Sequence, residues 1–215
     1  MIKDIEAKAN ELLSSYCEAK NSSIKTPVDP IDVLEFKGFS VDYVNDKYDL
    51  NIFGALQVDK KVVEVNADVK INEGMENFTI AHELGHIVLH VPKMEKNKAT
   101  ECDFDSISQD SVVEKEADIF AACLLMPESN VKDAFYQLRN SRLFLKDNFI
   151  FKLIRRGSKK KRALNFASKV IKQGNFNVSK YAMINRLIGL GLIKGLRYQK
   201  NNINNKIDKS NDVQV

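Results

Sequence analysis

Residues 78–90 read FTIAHELGHIVLH and hold all three histidines of a 215-residue chain: His82, His86 and His90. An α-helix turns about 100° per residue. On a helix, His82 and His86 therefore stand one turn apart and about 40° apart in azimuth. Two imidazoles so placed reach one ion from one face. Glu83 falls about 60° from His86, near enough to take a proton from a water on that ion without ligating it. H-E-x-x-H thus provides two metal ligands and a general base. The plainer alternative is a helix that carries two surface or core histidines. A catalytic ion also needs a third protein ligand and a position left open for water.

His90 lies two turns beyond His82 and about 80° around the helix, and a straight helix cannot wrap all three imidazoles around one ion. The metzincin spacing requires glycine at 89 and histidine at 92, where this chain has Leu89 and Pro92. His90 is therefore read as packing, or as support behind a ligand. The third ligand is sought on a second apolar helix, VVEKEADIFAACLLMP, residues 112–127. Glu114 and Asp118 share a face at i, i+4, flanked by Ala117, Ala121 and Leu125, so the two helices can approach closely. Glu114 is placed to bind the ion, and Asp118 to accept the free N–H of a ligating histidine and so fix its tautomer. Glu116, about 200° from Glu114, is the competing choice for the ligand. All three acids also suit the solvated first turn of a helix.

Working outward, IEAKANELLSSYCEA (residues 5–19) has helical apolar spacing, and IDVLEFKG (31–38) is a short helix with Pro30 at its start and Gly38 at its end. FSVDYV, IFGALQV and KVVEVN are strand-like runs, with a tight hairpin expected at Asp59-Lys60. They predict a small, largely antiparallel sheet. Helix 72–91 ends before Pro92, residues 92–111 are polar and aperiodic, and further helices follow from about 130 to 155. Near the C-terminus, ALNFASKVIKQGNFNVSKYAMINRLIGLGLI reads as helix, turn, helix, with Gly174 and Asn175 in the turn and Ser179 as N-cap. The last 18 residues are polar and Asn-rich, the composition of a disordered tail.

The formal net charge of +4 is too mild to imply nucleic acid by itself. RRGSKKKR, residues 155–162, concentrates six basic residues in eight positions. It is read as a solvated loop, with weak, nonspecific nucleic-acid contact and docking of an acidic or DNA-bound substrate as the sharper options. Cys17, Cys102 and Cys123 are odd in number and widely spaced, as suits reduced thiols. Without a leader-like or membrane-spanning apolar run, the expected location is the cytoplasm, with no membrane partner.

FTIAHELGHIVLH followed by EKEADIFAACLLMP resembles the ImmA/IrrE family of bacterial and phage metallopeptidases. FGALQVDKKVVEVN resembles that family's hairpin, and FNVSKYAMINRLIGLGLI its C-terminal helix-turn-helix-like element; the likeness spans roughly residues 30–195. It implies an α+β fold: a zincin-like metallopeptidase core over residues 1–140, a helix-turn-helix-like unit over 141–197, and the tail 198–215. It also implies His82, His86 and Glu114 as metal ligands, Glu83 as general base, and Asp118 at the family's Asp/Asn position. The implied activity is that of a metallo-endopeptidase that cuts a helix-turn-helix repressor of a mobile element, phage or stress regulon. At this length the resemblance implies the short ImmA branch and not the longer IrrE branch with its sensor domain. Two imidazoles and a carboxylate favour Zn²⁺, with Mn²⁺ or Fe²⁺ acceptable. An oxyanion donor is expected from Tyr136 or Tyr181. The rival function is a non-cleaving repressor-binding protein, or a DNA-binding regulator using Lys180 and Arg186 on the second helix of the C-terminal unit.

Overall fold

The computed structural model describes residues 2–45, 53–67, 72–93, 111–145 and 158–197. The predicted tail, most of the 92–111 loop, Cys102 and the first part of the basic run lie outside these residues. Helix α1 (Ile2–Ala19) turns Ile5, Ala9, Leu12, Leu13 and Cys17 inward, the spacing of one helical face. Helix α2 (Pro30–Phe36) starts as its sequence dictates. Asp29 accepts a hydrogen bond from the Ile31 amide at 2.9 Å, and Pro30 occupies the first turn. Gly38, at φ +79, takes the left-handed conformation just beyond its end.

Strands β1 (Ser40–Val44), β2 (Gly54–Gln57) and β3 (Val62–Asn66) form one sheet in the order β1-β3-β2. The β2–β3 hairpin is antiparallel and turns through Asp59 and Lys60, with the Lys61 amide bonded to the Val58 carbonyl at 3.1 Å. The expectation of a largely antiparallel sheet is corrected at β1, which pairs with β3 in parallel. The reason is burial: β3 hides Val63 and Val65 completely and takes the centre. The hairpin fills one edge of β3, so the half-exposed β1 is left the other edge, where its chain direction is parallel. A second small pairing, β4 (Leu143–Phe144) with β5 (Ile193–Lys194), is parallel as well.

Helix α3 (Glu73–Leu89) carries the H-E-x-x-H segment and is the hub. It packs on α2, on β2 and β3, and most extensively on α4 (Ser111–Leu125), which in turn packs on α1. Helix α5 (Glu128–Leu138) follows at once, after Pro127 has closed α4. Helices α6 (Lys159–Gln173) and α7 (Lys180–Gly189) are joined by a turn holding Gly174 and Asn175, the latter at φ +50. Ser179 caps α7 by accepting from the Ala182 amide at 3.1 Å. Ala163, Ala167 and Val170 of α6, and Ala182, Met183, Ile184 and Leu187 of α7, belong to the same buried cluster as α1 to α5. No helix among the described residues is long and apolar enough to cross a membrane.

Two sequence expectations change here. The basic run is not wholly a loop: Ser158 accepts from the Lys161 amide at 3.3 Å and starts α6, so Lys159 to Arg162 form its first turn. Arg186 is not on an exposed face but 7% exposed, inside the molecule. Cys17 and Cys123 are buried free thiols, and Cys123 is pushed up to about 11 by burial.

Candidate metal centre

The approach of α3 to α4 sets the geometry. Gly85 lies against Ala117: a Cβ there would stand 3.1 Å from the Ala117 Cα and 3.2 Å from its carbonyl oxygen. Two small residues let the helix backbones meet, and Ala117 and Ala121 are completely buried in the contact. The consequence is that carboxylates of α4 reach imidazoles of α3. Gly85→Ala should therefore cost about 1–3 kcal/mol through overpacking and should also weaken any metal binding at this seam, because it forces apart the two helices that carry the candidate ligands. Chemical denaturation and a metal titration of the same variant check both halves; native values in both would mean the contact gives way freely.

At this seam Nε2 of His82 and Nε2 of His86 stand 3.1 Å apart, and each is 3.2 Å from an oxygen of Glu114. His82, His86 and Glu114 are the group among the described residues able to hold a metal ion, with one donor atom from each within 4.8 Å of the others. Nδ1 of His82 lies 3.1 Å from Oδ1 of Asp118. An ionised carboxylate only accepts, so His82 carries a proton on Nδ1. A neutral His82 then turns a bare Nε2 toward Glu114 and His86. Lone pairs converge there, and something cationic must lie among them. Without a metal ion a proton fills that place. Burial lowers the affinity of His82 for it, but the hydrogen bonds to Asp118 and Glu114 outweigh burial and hold its pKa up at about 10. Burial likewise raises the Glu114 carboxyl, but its bonds to His82 and His86 prevail and bring it to about 2. A divalent cation satisfies all three donors at once, and two imidazoles with one carboxylate form a known zinc-type ligand set.

Glu83 is 8% exposed and lies outside this cluster. Burial raises its carboxyl above the ordinary range, against the pull of His82 and His86. Its Oε1 sits 3.3 Å from where a Cβ on Gly54 would stand, and the Thr79 methyl is 2.6 Å from that same point. Only glycine fits at the start of β2, a demand set by α3 that the FGALQV run does not itself signal.

The structure also assigns Glu116 a different place from Glu114. Its Oε2 lies 3.2 Å from Nε2 of His90, whose Nδ1 is 3.0 Å from Nδ1 of His86. The two acids of α4 diverge as their azimuths predicted, and Glu116 faces away from the cluster. Lys93 reaches Glu116 at 3.8 Å. Tyr136 is exposed with its ring edge on Phe135, and Tyr181 is half-buried beneath the Lys160 ammonium at 5.1 Å. Neither position singles out an oxyanion donor.

The sequence pattern of the IrrE N-terminal-like domain, Peptidase_M78, matches residues 33–149, just over half of the chain. The matched span contains the sheet, α3, α4 and every side chain of the cluster. No curated protein matches the chain.

Proposed function

The chain belongs to the IrrE N-terminal-like family of peptidases, M78, and from that premise we propose that it is a metal-dependent endopeptidase. In this reading His82, His86 and Glu114 hold one divalent ion, Zn²⁺ in first place. The observation that carries the reading is the convergence of three candidate ligand atoms within 4.8 Å, beside a buried carboxyl outside that set. An ion held there supplies Lewis acidity, which lowers the pKa of a water and polarises a carbonyl. Glu83 takes the proton of the attacking water and delivers it to the leaving amine. Burial raises its carboxyl above the ordinary range, which favours holding the proton it takes until the amine leaves. Asp118 holds the His82 ring by its Nδ1–H.

The proposed substrate is a helix-turn-helix repressor, an inference that rests on the resemblance in FTIAHELGHIVLH and EKEADIFAACLLMP. The test is incubation with a repressor encoded nearby, with and without chelator, read by intact mass. The expected result is two fragments whose masses sum to the repressor plus one water, absent with chelator. Elemental analysis of the purified protein should find one divalent ion per chain, lost in Glu114→Ala. Stable binding of the repressor without cleavage, in protein loaded with metal, would favour a sequestering role instead.

A further inference from the structure

His86 is the more deeply buried of the two histidines proposed as ligands: its side chain is 3% exposed, against 16% for His82. The Nδ1–H of His82 meets Asp118, a side chain 59% exposed. Against Nδ1 of His86 stands another imidazole, His90, 3% exposed and 3.0 Å away. Behind that ring lies Glu116, 3.2 Å from Nε2.

The distances admit two proton arrangements along this row of rings, and only one of them lets His86 ligate. Glu116, beside the Lys93 ammonium, can only accept, so Nε2 of His90 carries a proton. A second proton on Nδ1 would make His90 a buried cation and aim an N–H at His86. His86 would then accept on Nδ1 and carry its own proton on Nε2, the atom that faces Glu114. That state cannot ligate a metal. With His90 neutral, its Nδ1 is bare and accepts from His86 Nδ1–H, leaving His86 Nε2 free to face Glu114 and His82.

We propose that His90 and Glu116 are positioning residues for the metal centre: Glu116, acting through the His90 ring, fixes His86 in the tautomer whose Nε2 is free to ligate. The inference deepens the metallopeptidase reading and rests on its ligand set. It gives the two ligands unlike supports, a direct carboxylate for His82 and an imidazole–carboxylate relay for His86. The difference follows burial: the His86 side chain is only 3% exposed, and a buried N–H calls for a built acceptor. It also explains why a polar ring sits at the buried C-terminal end of α3, where Leu or Phe would pack as well.

The test uses the full chain. Metal affinity is read by competition with a chromogenic chelator, and ring protonation by long-range ¹H–¹⁵N correlation on the Zn²⁺-loaded protein, where only three histidines contribute. In the native protein the His86 proton should be found on Nδ1 and the His90 proton on Nε2. Glu116→Ala and His90→Phe should each weaken Zn²⁺ binding by about 10–100-fold. Glu116→Gln, which keeps an acceptor in place, should recover most of that loss, a rescue that packing alone would not produce. A His90 proton on Nδ1 would overturn the proposal, as would native affinity in Glu116→Ala and His90→Phe. His82→Ala and Glu114→Ala separate the two levels. If these also bind Zn²⁺ as the native chain does, the ligand set itself is wrong and the relay falls with it. If they lose the metal while the His90 and Glu116 variants keep native affinity, only the relay falls.

Discussion

Glu83→Gln should leave metal content and melting temperature close to native while peptide hydrolysis falls by about 10²–10⁴-fold, the range general-base catalysis supplies. The substitution changes one oxygen to an amide nitrogen and nothing in size. Size matters here, because the carboxyl is wedged between α3 and the start of β2, within 3.3 Å of the space a Gly54 Cβ would fill. A shorter or bulkier replacement would mix a packing defect with the chemical one. A neutral amide also costs less to bury than an ionised carboxylate, so stability should hold or rise slightly. KM should change little, since the loss lies in proton transfer and not in binding. Initial rates on a fluorogenic peptide, beside elemental analysis of the same sample, decide the matter. Residual activity within tenfold of native would remove Glu83 from the role of base and return the search to the other buried acids.

The grouping of the candidate site was more legible than the sheet, for a physical reason. The His82–His86 pair is local: two residues four apart on one helix meet whatever the rest of the chain does. Glu114 and Asp118 needed one further step, that Ala117 and Ala121 would let α4 approach closely, and small residues on one face carry that message. Gly85, against Ala117, is the complementary half of that message. The pairing of β1 with β3 depends instead on which strand is buried on both edges, a property of the assembled sheet that period-two alternation does not encode. Glu116 illustrates the same limit at the site. Its azimuth showed that it faces away from Glu114, but not that it would meet His90, since that contact requires the position of α4 along α3. The basic run misled differently. Lysines read as solvated loop, while one serine, Ser158, sufficed to start a helix among them.

Arg186 is the residue the sequence placed most wrongly, and its removal should be among the most damaging changes in the chain. Read from the sequence alone, α7 turns it outward, where it could meet a phosphate or a base. It points inward instead. Its Nε donates to the Met126 carbonyl at 2.9 Å, one guanidinium nitrogen lies 3.3 Å from Cys123 Sγ, and the other pairs with Glu6 of α1. The Met126 carbonyl follows the last turn of α4, one of the acceptors a helix leaves without an internal partner. One side chain thereby ties α7 to α1 and to the end of the helix that carries Glu114. Arg186→Ala would leave the Glu6 carboxylate facing a largely buried site without its cation and the Met126 carbonyl without this donor. Breaking such a pair costs about 3–5 kcal/mol, so the urea midpoint should drop steeply. Arg186→Met, which keeps the apolar stem, should recover part of the loss when combined with Glu6→Gln, because the double variant no longer buries an unpaired charge. A cost below about 1 kcal/mol for Arg186→Ala would show that this network is weak. The outcome bears on function as well. A guanidinium committed to α1 and α4 is not free to read DNA, which leaves Lys180 as the exposed cation of α7.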